Sequence, residues 1–356
     1  MFQMLTRWYN KRFSDPEAVS LIAILFFGFL IIYFMGGLIT PLLVAIVLAY
    51  LLEWPVVRLV RFGIPRTLSV IIVIAIFTSL MLIAVFGLIP VIWQQVTHLT
   101  NDIPSMYTEL QARINEIFLK YPELANVEIV ESIVTNAKNQ VIGFGESIVK
   151  NSLSSLLSIA TLAVYLVLVP LLIFFLLKDK QQILDSAGKI MPKNRKLAQK
   201  VWVEMNEQIS NYIHGKVLEI FIVGIISYVA FAILDLRYSL LLAVAVGFSV
   251  LIPYIGAFVV TVPVAIVGLF QWGLTPSFYW LLGIYGIIQA LDGNVLVPVL
   301  FSEAVNLHPI AIIVSVLVFG GLWGFWGIFF AIPLATLVKA VWSALSVSEE
   351  VSPSAG

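Results

Sequence analysis

The sequence contains no cysteine. Disulfide bonds, thiolate metal ligands and cysteine nucleophiles are therefore excluded, while the redox state of the compartment stays open. Charged residues are also scarce, at 11% of the 356 residues, whereas soluble domains carry about 25%. The formal net charge is zero, so the sequence gives no indication of a nucleic-acid partner.

Sequence signatures of common enzymes and of ATP binding are absent as well. The chain has no Gly-x-Ser-x-Gly, no His-Glu-x-x-His and no Gly-x-x-x-x-Gly-Lys motif. We therefore predict that the protein is not an enzyme and that it uses no cofactor and no metal ion. Any transport must then be downhill or coupled to an ion gradient, unless a separate subunit supplies energy.

Long apolar runs dominate what is present, since 61% of the residues are hydrophobic and the mean hydropathy is +1.03. About 20 consecutive apolar residues cross a bilayer as a helix. The first run lacks a small-residue cleavage site, so we interpret it as a transmembrane helix rather than a signal peptide. We expect Gly36-Gly37 to form a tight turn after it. The predicted spans are residues 18–35, 38–54, 67–92, 153–177, 217–234 and 278–299.

Lysine and arginine predict the orientation, because cytoplasmic loops collect them. They cluster before the first span, after the second and after the fourth, which places the three clusters on one side. We therefore expect the N- and C-termini in the cytoplasm and the segment 93–150 outside. Apolar residues recur at helical spacing in 103–118 and in 182–212, which predicts an amphipathic helix on each side of the membrane.

Two further apolar regions, 239–270 and 309–340, are interrupted in the middle by SVLIPYIGAF and FGGLWGFWG. Each half is shorter than a normal span, so a re-entrant hairpin that returns to its own side fits both regions. Each hairpin follows a full span, and the two units have opposite orientations. Inverted repeats with Gly/Pro-interrupted segments are typical of transporter substrate sites. The alternative is four ordinary short helices.

The predicted fold is an all-α polytopic membrane protein with about six full transmembrane helices and two re-entrant helical hairpins in an inverted-repeat C-terminal half. The chain divides accordingly. The predicted parts are N-terminal scaffold helices (1–92), an extracytoplasmic helical segment (93–150), a transmembrane helix (151–177), a basic cytoplasmic amphipathic segment (178–212), an inverted-repeat transport domain (213–340) and a disordered tail (341–356).

Asp292 is the most informative polar residue, because it lies near the middle of the apolar run 278–301. A carboxylate at mid-bilayer is costly and indicates a functional site by default. Gln289 and Asn294 lie close by in the sequence and supply hydrogen-bond donors and acceptors. The three residues together predict a substrate or cation site.

Gly293 permits local unwinding, which would let these polar side chains reach one cavity, and Pro298 removes a further backbone donor. The alternative is that Asp292 is held by backbone amides at a helix N-terminus or by Lys216. In that case the carboxylate has a structural role only.

The interruptions of the two hairpins supply further candidates. Pro253, Tyr254 and Gly256 in the first form a tip that either faces the substrate or only turns the chain. The second contains four glycines, which form the opposing tip or let helices pack closely. These are Gly320, Gly321, Gly324 and Gly327.

Two pairs of titratable residues are weaker candidates. His308 and Glu303 lie at the cytoplasmic mouth of the second hairpin, where a histidine could couple transport to protons, although a helix cap is the commoner role. Lys216 and Glu219 are three residues apart near the start of a predicted span, and we expect them to pair locally.

Four long stretches carry a resemblance to a known family: NYIHGKVLE, SVLIPYIGAF, QALDGNVLVPVLFSEAVNLHP and FGGLWGFWGIFFAIPLATL. They resemble the AI-2E family of autoinducer-2 exporter-like permeases, and the resemblance covers nearly the whole chain. It implies a multi-pass permease of the bacterial inner membrane. Some members are linked to autoinducer-2 export and others to sodium/proton exchange. The resemblance also implies homo-oligomers in which one domain moves against another.

Three hypotheses about function follow. In the first, the protein exports a small polar solute by alternating access, with the site around Asp292. In the second, Asp292 exchanges a proton for sodium in an antiporter. In the third, the protein is a membrane scaffold that transports nothing and binds partners through residues 93–150 and its basic cytoplasmic loop. The expected partners are the lipid bilayer and a small-molecule or cation substrate.

Overall fold

The computed structural model describes residues 16–120, 158–190, 196–301 and 307–347, and all of their regular secondary structure is helical. The elements before residue 191 are α1 (Pro16–Arg61), α2 (Arg66–Ile83), the π-helical turn π1 (Ala84–Leu88), α3 (Ile89–Lys120), α4 (Ser158–Lys178) and α5 (Lys180–Ile190). The later elements are α6 (Lys196–Ile233), α7 (Ser239–Ser249), α8 (Ile255–Trp272), α9 (Pro276–Leu291), the π-helical turn π2 (Asp292–Leu296), α10 (Val297–Phe301), α11 (Pro309–Phe329) and α12 (Ala331–Val347).

Six helical stretches among the described residues are long and apolar enough to cross a membrane, which fits the predicted all-α polytopic class. They are Ile39–Arg61, Arg66–Met106, Val201–Ile233, Ile255–Trp272, Pro276–Phe301 and Pro309–Phe329. The set differs from the predicted one, because it includes helices assigned to the hairpins. Of the predicted span 153–177, residues 158–177 lie in α4, an apolar helix of 21 residues.

The tight turn predicted at Gly36-Gly37 is wrong, because α1 continues through both glycines as a single helix of 46 residues. Glycine weakens a helix by only about 1 kcal/mol relative to alanine. Opening the backbone inside an apolar segment costs more, since each unpaired polar group costs several kcal/mol in lipid. Two adjacent glycines among apolar residues therefore do not break the helix.

The described residues of the predicted amphipathic segments are helical, and 103–118 and 196–212 are continuous with candidate spans, whereas 182–190 lie in α5. α3 extends without interruption from π1 to Lys120, and α6 runs from Lys196 through the predicted boundary at residue 212. α12 likewise reaches Val347, inside the segment predicted as a disordered tail. Residues 121–157 and 348–356, and Glu303, lie outside the described residues.

Two hydrophobic cores organise the helices. The N-terminal core joins α1, α2 and α4 through side chains such as Val56, Val70 and Ile173. The C-terminal core joins α6, α7, α8 and α9 around Phe231 and Leu281. A third cluster connects them, and its buried members are Ile213 of α6, Leu251 and Phe329 of α11, with Val47 and Tyr50 of α1 packed against them.

The chain doubles back in the first interrupted region. α7 ends at Ser249, residues 250–254 form turns, and α8 begins at Ile255. Residues seven apart would be separated by about 10 Å along a straight helix, yet a Cβ added at Gly256 would overlap the Ser249 carbonyl oxygen. We call residues 250–254 the first reversal.

A second reversal lies at Gly324, whose φ of 58° and ψ of −132° interrupt the helical geometry of α11. A Cβ added at Gly327 would overlap the carbonyl oxygen of Phe319, and one added at Gly320 would lie 2.8 Å from Ile328 Cγ1. Residues eight apart therefore touch, which a straight helix does not allow. Gly324 supplies the left-handed backbone, and two other glycines supply the close approach.

Candidate functional site

A buried ion pair lies on α6, within the candidate span Val201–Ile233. Lys216 is 4% exposed and Glu219 is 2% exposed, and Lys216 Nζ donates to Glu219 Oε2 at 2.7 Å. Nζ also lies 5.2 Å from the centroid of the Phe301 ring, a cation–π distance. The predicted local pairing is confirmed, but its burial is new. Because desolvating each ion costs several kcal/mol, stability alone does not explain such a pair.

Lys216 also binds the first reversal, since its Nζ donates to the carbonyl oxygen of Val250 at 2.8 Å. The turns there use bonds three residues back, from Leu251 to Phe248 and from Ile252 to Ser249. The next donor in this series would be Pro253, which has no N–H. Lys216 therefore satisfies a carbonyl that proline has left without a partner.

Tyr212 performs the same task at the junction of α11 and α12. Its hydroxyl donates to the carbonyl oxygen of Phe329 at 2.9 Å, and its side chain is buried. Bonds four residues back join Phe330 to Trp326 and Leu334 to Phe330. The corresponding donor to Phe329 would be Pro333, which again lacks an N–H.

One face of α6 therefore carries the polar groups of the site. Tyr212, Lys216 and Glu219 are related by spacings of four and three residues, which place them on the same side of a helix. This face meets the first reversal, the α11–α12 junction and α10. The two interrupted regions are thus attached to a single helix within one turn of each other.

Asp292 faces this cluster from the neighbouring helix. It continues the buried stripe Leu281, Tyr285 and Ile288 of α9 at helical spacing. Its charge attracts that of Lys216 and repels that of Glu219. Asp292 nevertheless forms no ion pair within the described structure, and its Oδ1 is buried without a hydrogen-bond partner.

The backbone at Asp292 is a π-helical turn rather than the predicted unwound segment. Val297 donates to the carbonyl oxygen of Asp292, five residues back, and Pro298 follows directly. The first π-helical turn has the same arrangement, with Ile89 donating to Ala84 immediately before Pro90. A proline ring clashes with the carbonyl four residues before it, and a wider turn relieves this clash. π-helical turns occur frequently at functional sites.

The other residues predicted around Asp292 divide into two groups. Gln289 is half-buried, and its Nε2 is buried without a partner, so it joins the site. Asn294 does not, because its side chain is exposed and donates to the Ala290 carbonyl of its own helix at 2.8 Å. Gly293 has open space around its Cα, and Pro298 is exposed.

The predicted tip residues and coupling residues lie apart from the charged cluster. Tyr254 is 61% exposed, Pro253 is half-buried and Gly256 packs against α7. His308 is exposed and caps α11, with its Nδ1 accepting from Ile310 N at 3.3 Å. The four glycines of the second interruption separate into Gly320, Gly324 and Gly327, which shape the reversal, and Gly321, which has open space around it.

The burial and the contacts of the polar residues of α6 do not follow from the sequence. A lysine and a glutamate three residues apart are the ordinary pattern of an exposed pair, and Tyr212 lies at the end of the predicted amphipathic segment 182–212, where the pattern indicates only a packing side chain. A signal was present, since both charges lie where the apolar span begins. Their role depends on Val250 and Phe329, which are distant in the sequence.

The charges of the cluster do not cancel when all three groups are ionised. Lys216 contributes one positive charge, while Glu219 and Asp292 contribute two negative charges. An uncompensated charge in a low-dielectric interior is unfavourable, so the cluster favours one further positive charge. A proton, a small cation or a solute that donates hydrogen bonds would supply it. No group of three or more His, Cys, Asp or Glu side chains suited to a metal ion occurs in the described part of the chain.

A second polar contact connects α3 with the start of α7. Gln95 Oε1 accepts from Leu241 N at 2.9 Å, and the Tyr238 hydroxyl donates to the Asp102 carboxylate. Burial and then the hydrogen bond to Asp102 raise the pKa of Tyr238 to about 12. Tyr238 therefore keeps its proton at neutral pH and remains the donor. The extension of α3 is anchored to the C-terminal helices in this way.

Comparison with known proteins identifies the family. The model of the AI-2E family transporter matches residues 22–346, which include every residue of the cluster. The chain belongs to the AI-2E transporter family. The resemblance seen in the sequence motifs is thereby confirmed, and the chain is one of a family of membrane transporters.

Individual AI-2E relatives cover most of the chain. It is 55% identical over 341 residues to the protein named "Putative permease PerM" of Escherichia coli (strain K12), covering 96% of this chain and 97% of that protein. It is 29% identical to "Putative transport protein YueF" of Bacillus subtilis (strain 168), covering 87% and 84%. It is 25% identical to "AI-2 transport protein TqsA" of Escherichia coli (strain K12), covering 86% of each.

Proposed function

We propose that the protein is a secondary transporter of the bacterial inner membrane that exports a small polar solute by alternating access. The observation that carries this proposal is the cluster of buried Lys216 and Glu219 with half-buried Asp292, in which Asp292 Oδ1 and Gln289 Nε2 are buried and unpartnered. Unpartnered polar atoms in an apolar interior are costly unless a ligand binds them. The name of the relative TqsA supports an autoinducer-2-like solute.

In this proposal, the two interrupted regions act as re-entrant hairpins of an inverted repeat. The first reversal and the α11–α12 junction meet the same face of α6, where Lys216 and Tyr212 bind them. α1, α2 and α4 share a separate core and would form the scaffold. Movement of the C-terminal unit against this scaffold would expose the site to each side in turn, with both termini in the cytoplasm.

Solute flux through reconstituted vesicles tests the proposal. Wild type is compared with Asp292→Ala in a screen of small polar solutes that includes autoinducer-2. We expect the flux of Asp292→Ala to be about 10- to 100-fold lower than that of wild type, because the variant loses one hydrogen bond of a charged group. Asn294→Ala is the matched control, because that side chain binds its own helix, and it should keep wild-type flux. Equal flux in wild type and Asp292→Ala would contradict the proposal.

A second candidate is a sodium/proton antiporter, which the net negative charge of the cluster favours. Asp292 would then exchange a proton for sodium, and solute flux would be absent. Adding sodium to vesicles with an imposed pH gradient distinguishes the two functions. If sodium dissipates the pH gradient and Asp292→Asn abolishes this effect, the antiporter is supported. If sodium leaves the pH gradient unchanged and solute flux is retained, the exporter is supported.

A scaffold without transport is the alternative from another class. It predicts that deleting part of the segment 93–150 abolishes the cellular function, whereas Asp292→Ala leaves that function intact. Since the exporter predicts the reverse pattern, a complementation assay with both variants separates the two hypotheses.

A further inference from the structure

Lys216 connects the proposed transport site with an interrupted region. Its ammonium group has three N–H donors. One binds Glu219 and another binds the Val250 carbonyl of the first reversal. The π-helical turn π2, which carries Asp292, packs against α6, and α10 directly after it places the Phe301 ring 5.2 Å from Nζ. The same ammonium attracts the Asp292 carboxylate across this contact.

We propose that Lys216 is a positioning residue that couples the charge state of Asp292 to the attachment of the first reversal, whereas Tyr212 attaches the α11–α12 junction independently of that charge. The coupling rests on the proposed function, since it takes Asp292 as the transport site. It adds a role for Lys216 and Tyr212 that the transport site alone does not require.

The coupling follows from competition among acceptors. In the structure Lys216 binds Glu219 and Val250, and the proposal assigns this arrangement to Asp292 neutralised by a proton, a cation or a solute. When Asp292 is bare, two carboxylates compete for a single ammonium group. Lys216 then moves toward Asp292, and the Val250 carbonyl loses its donor. Because Pro253 provides no N–H there, the first reversal is left unsatisfied and detaches from α6.

The contact made by Tyr212 lacks this competition. Its hydroxyl binds the Phe329 carbonyl, and its ring packs 5.9 Å from Phe301 and 6.0 Å from Phe329, measured between centroids. A neutral donor does not follow a change of charge at Asp292. The two interrupted regions are therefore held by contacts of different kinds, of which only one responds to the site.

Few other titratable groups surround the ammonium of Lys216 among the described residues. Between residues 239 and 272, α7, the first reversal and α8 carry one tyrosine as their sole ionisable side chain, and it is exposed. On α6, the titratable groups within one turn of Lys216 are Tyr212, His214 and Glu219. The neighbouring elements carry Asp292 on π2, Tyr285 on α9, Tyr50 on α1, Tyr254 in the first reversal, and His308 and Lys339 at the ends of α11 and α12. Asp292 is the one carboxylate of this set without an ion-pair partner within the described residues.

Because the natural chain lacks cysteine, single thiols can report each attachment separately. Leu251→Cys places a thiol at a site that is 6% exposed, in the first reversal. Ala331→Cys places one at a site that is 0% exposed, at the α11–α12 junction. Tyr254→Cys, at a 61% exposed site, measures how thiol reactivity itself changes with pH. The measurement is the rate of N-ethylmaleimide labelling of the full chain in liposomes.

The first arm of the experiment tests the two attachments. Lys216→Met should accelerate labelling of Leu251→Cys about tenfold, the factor for losing one charged hydrogen bond, and leave Ala331→Cys slow. Tyr212→Phe should do the opposite. Lys216→Arg, which keeps a charged donor, should label like wild type. Acceleration of both reporters by Lys216→Met, or of neither, would overturn the proposal.

Folding of the variants has its own control. Lys216→Met/Glu219→Leu removes the lysine without leaving a buried charge and should give the same selective acceleration. Slow labelling at Ala331→Cys in this background shows that the variant is folded. If both reporters stay slow in it, the attachment by Lys216 is refuted.

The second arm tests the coupling to Asp292. Labelling of Leu251→Cys, divided by that of Tyr254→Cys, should rise with pH in wild type and stay low at all pH values with Asp292→Asn. An equal rise in both backgrounds would refute the coupling. Neither arm measures flux, so the two proposals can fail separately. If labelling follows the prediction but flux does not depend on Asp292, only the proposed function is rejected. Flux that needs Asp292 without the predicted labelling would reject the role of Lys216 alone.

Discussion

Lys216 and Glu219 carry opposite charges and are almost completely buried. Either charge would be unfavourable there without the other. Removing one member of a buried pair costs about 3–5 kcal/mol, whereas replacing both by apolar residues is often neutral. We therefore expect Lys216→Met to lower the unfolding midpoint clearly and Lys216→Met/Glu219→Leu to recover most of the loss. Thermal unfolding in detergent, followed by tryptophan fluorescence, measures both.

The control for this prediction is Lys339→Met, because Lys339 is exposed near the end of α12 and should tolerate the same exchange. A double variant as unstable as the single one would show that the pair is not the source of the loss.

Glycines at the two reversals provide a second prediction at the residue scale. Gly256→Ala and Gly327→Ala would each insert a methyl group into a backbone carbonyl of the opposing arm. Because neither carbonyl can move without shifting its helix, we expect the free energy of unfolding to fall by about 1–3 kcal/mol, the usual cost of overpacking. Unfolding midpoints of the purified variants provide the measurement.

Matched controls exist for these substitutions as well. Gly293→Ala and Gly321→Ala add the same methyl group where nothing lies within 4 Å. They should leave the midpoint unchanged or raise it slightly, since alanine favours helix. If all four variants have the same unfolding midpoint, the close approach of the two arms at each reversal is contradicted.

Asp292 could be selected as a candidate site residue from the sequence, because a carboxylate in a long apolar run has few structural explanations. The contacts of Lys216 could not be predicted in the same way. Its partner Glu219 is local, but its second acceptor, Val250, belongs to a reversal 34 residues later. A spacing rule describes only contacts within one helix.

At the scale of elements, two prolines and one helix explain how the interrupted regions are held. Pro333 leaves the Phe329 carbonyl free, and Tyr212 satisfies it. Pro333→Ala would supply an N–H to that carbonyl and make the hydroxyl redundant. We therefore predict that Tyr212→Phe destabilises the wild-type chain by about 1–3 kcal/mol, the cost of an unsatisfied buried acceptor, and costs much less in the Pro333→Ala background.

A double-mutant cycle on the unfolding midpoint measures this coupling, because the two single effects should not add. Tyr254→Phe is the matched control, since that hydroxyl is exposed. Additive effects of Tyr212→Phe and Pro333→Ala would show that proline and tyrosine do not share the Phe329 carbonyl.

Helix boundaries were less predictable than helix content. The glycine pair predicted a turn at Gly36-Gly37, and the amphipathic patterns predicted separate segments with boundaries near residues 93 and 212. Instead, α1, α3 and α6 continue through these positions. Composition changes at a membrane surface, but the backbone hydrogen bonds do not need to end there. The two reversals were located correctly, because proline and a left-handed glycine interrupt those bonds directly.

At the scale of the whole molecule, the N-terminal and C-terminal cores meet through a small set of contacts. Tyr50 of α1 donates to Asn206 Oδ1 of α6 at 2.7 Å, and α3 is anchored to the start of α7. The charged cluster lies in the C-terminal part, away from the N-terminal core. This division suits a moving transport unit carried by a fixed scaffold. The chain belongs to a family of transporters, and the proposed motion adds how the site would reach each side.

Flux through the folded double variant Lys216→Met/Glu219→Leu tests the central claim most directly. The claim is that the buried charges serve transport rather than stability. In reconstituted vesicles, with the solute or ion that wild type transports, we predict a variant that is folded and inserted but whose flux is lost about 100-fold or more, as expected when two charged contacts disappear. Wild-type flux through that variant, beside an equally active Asn294→Ala control, would contradict the account.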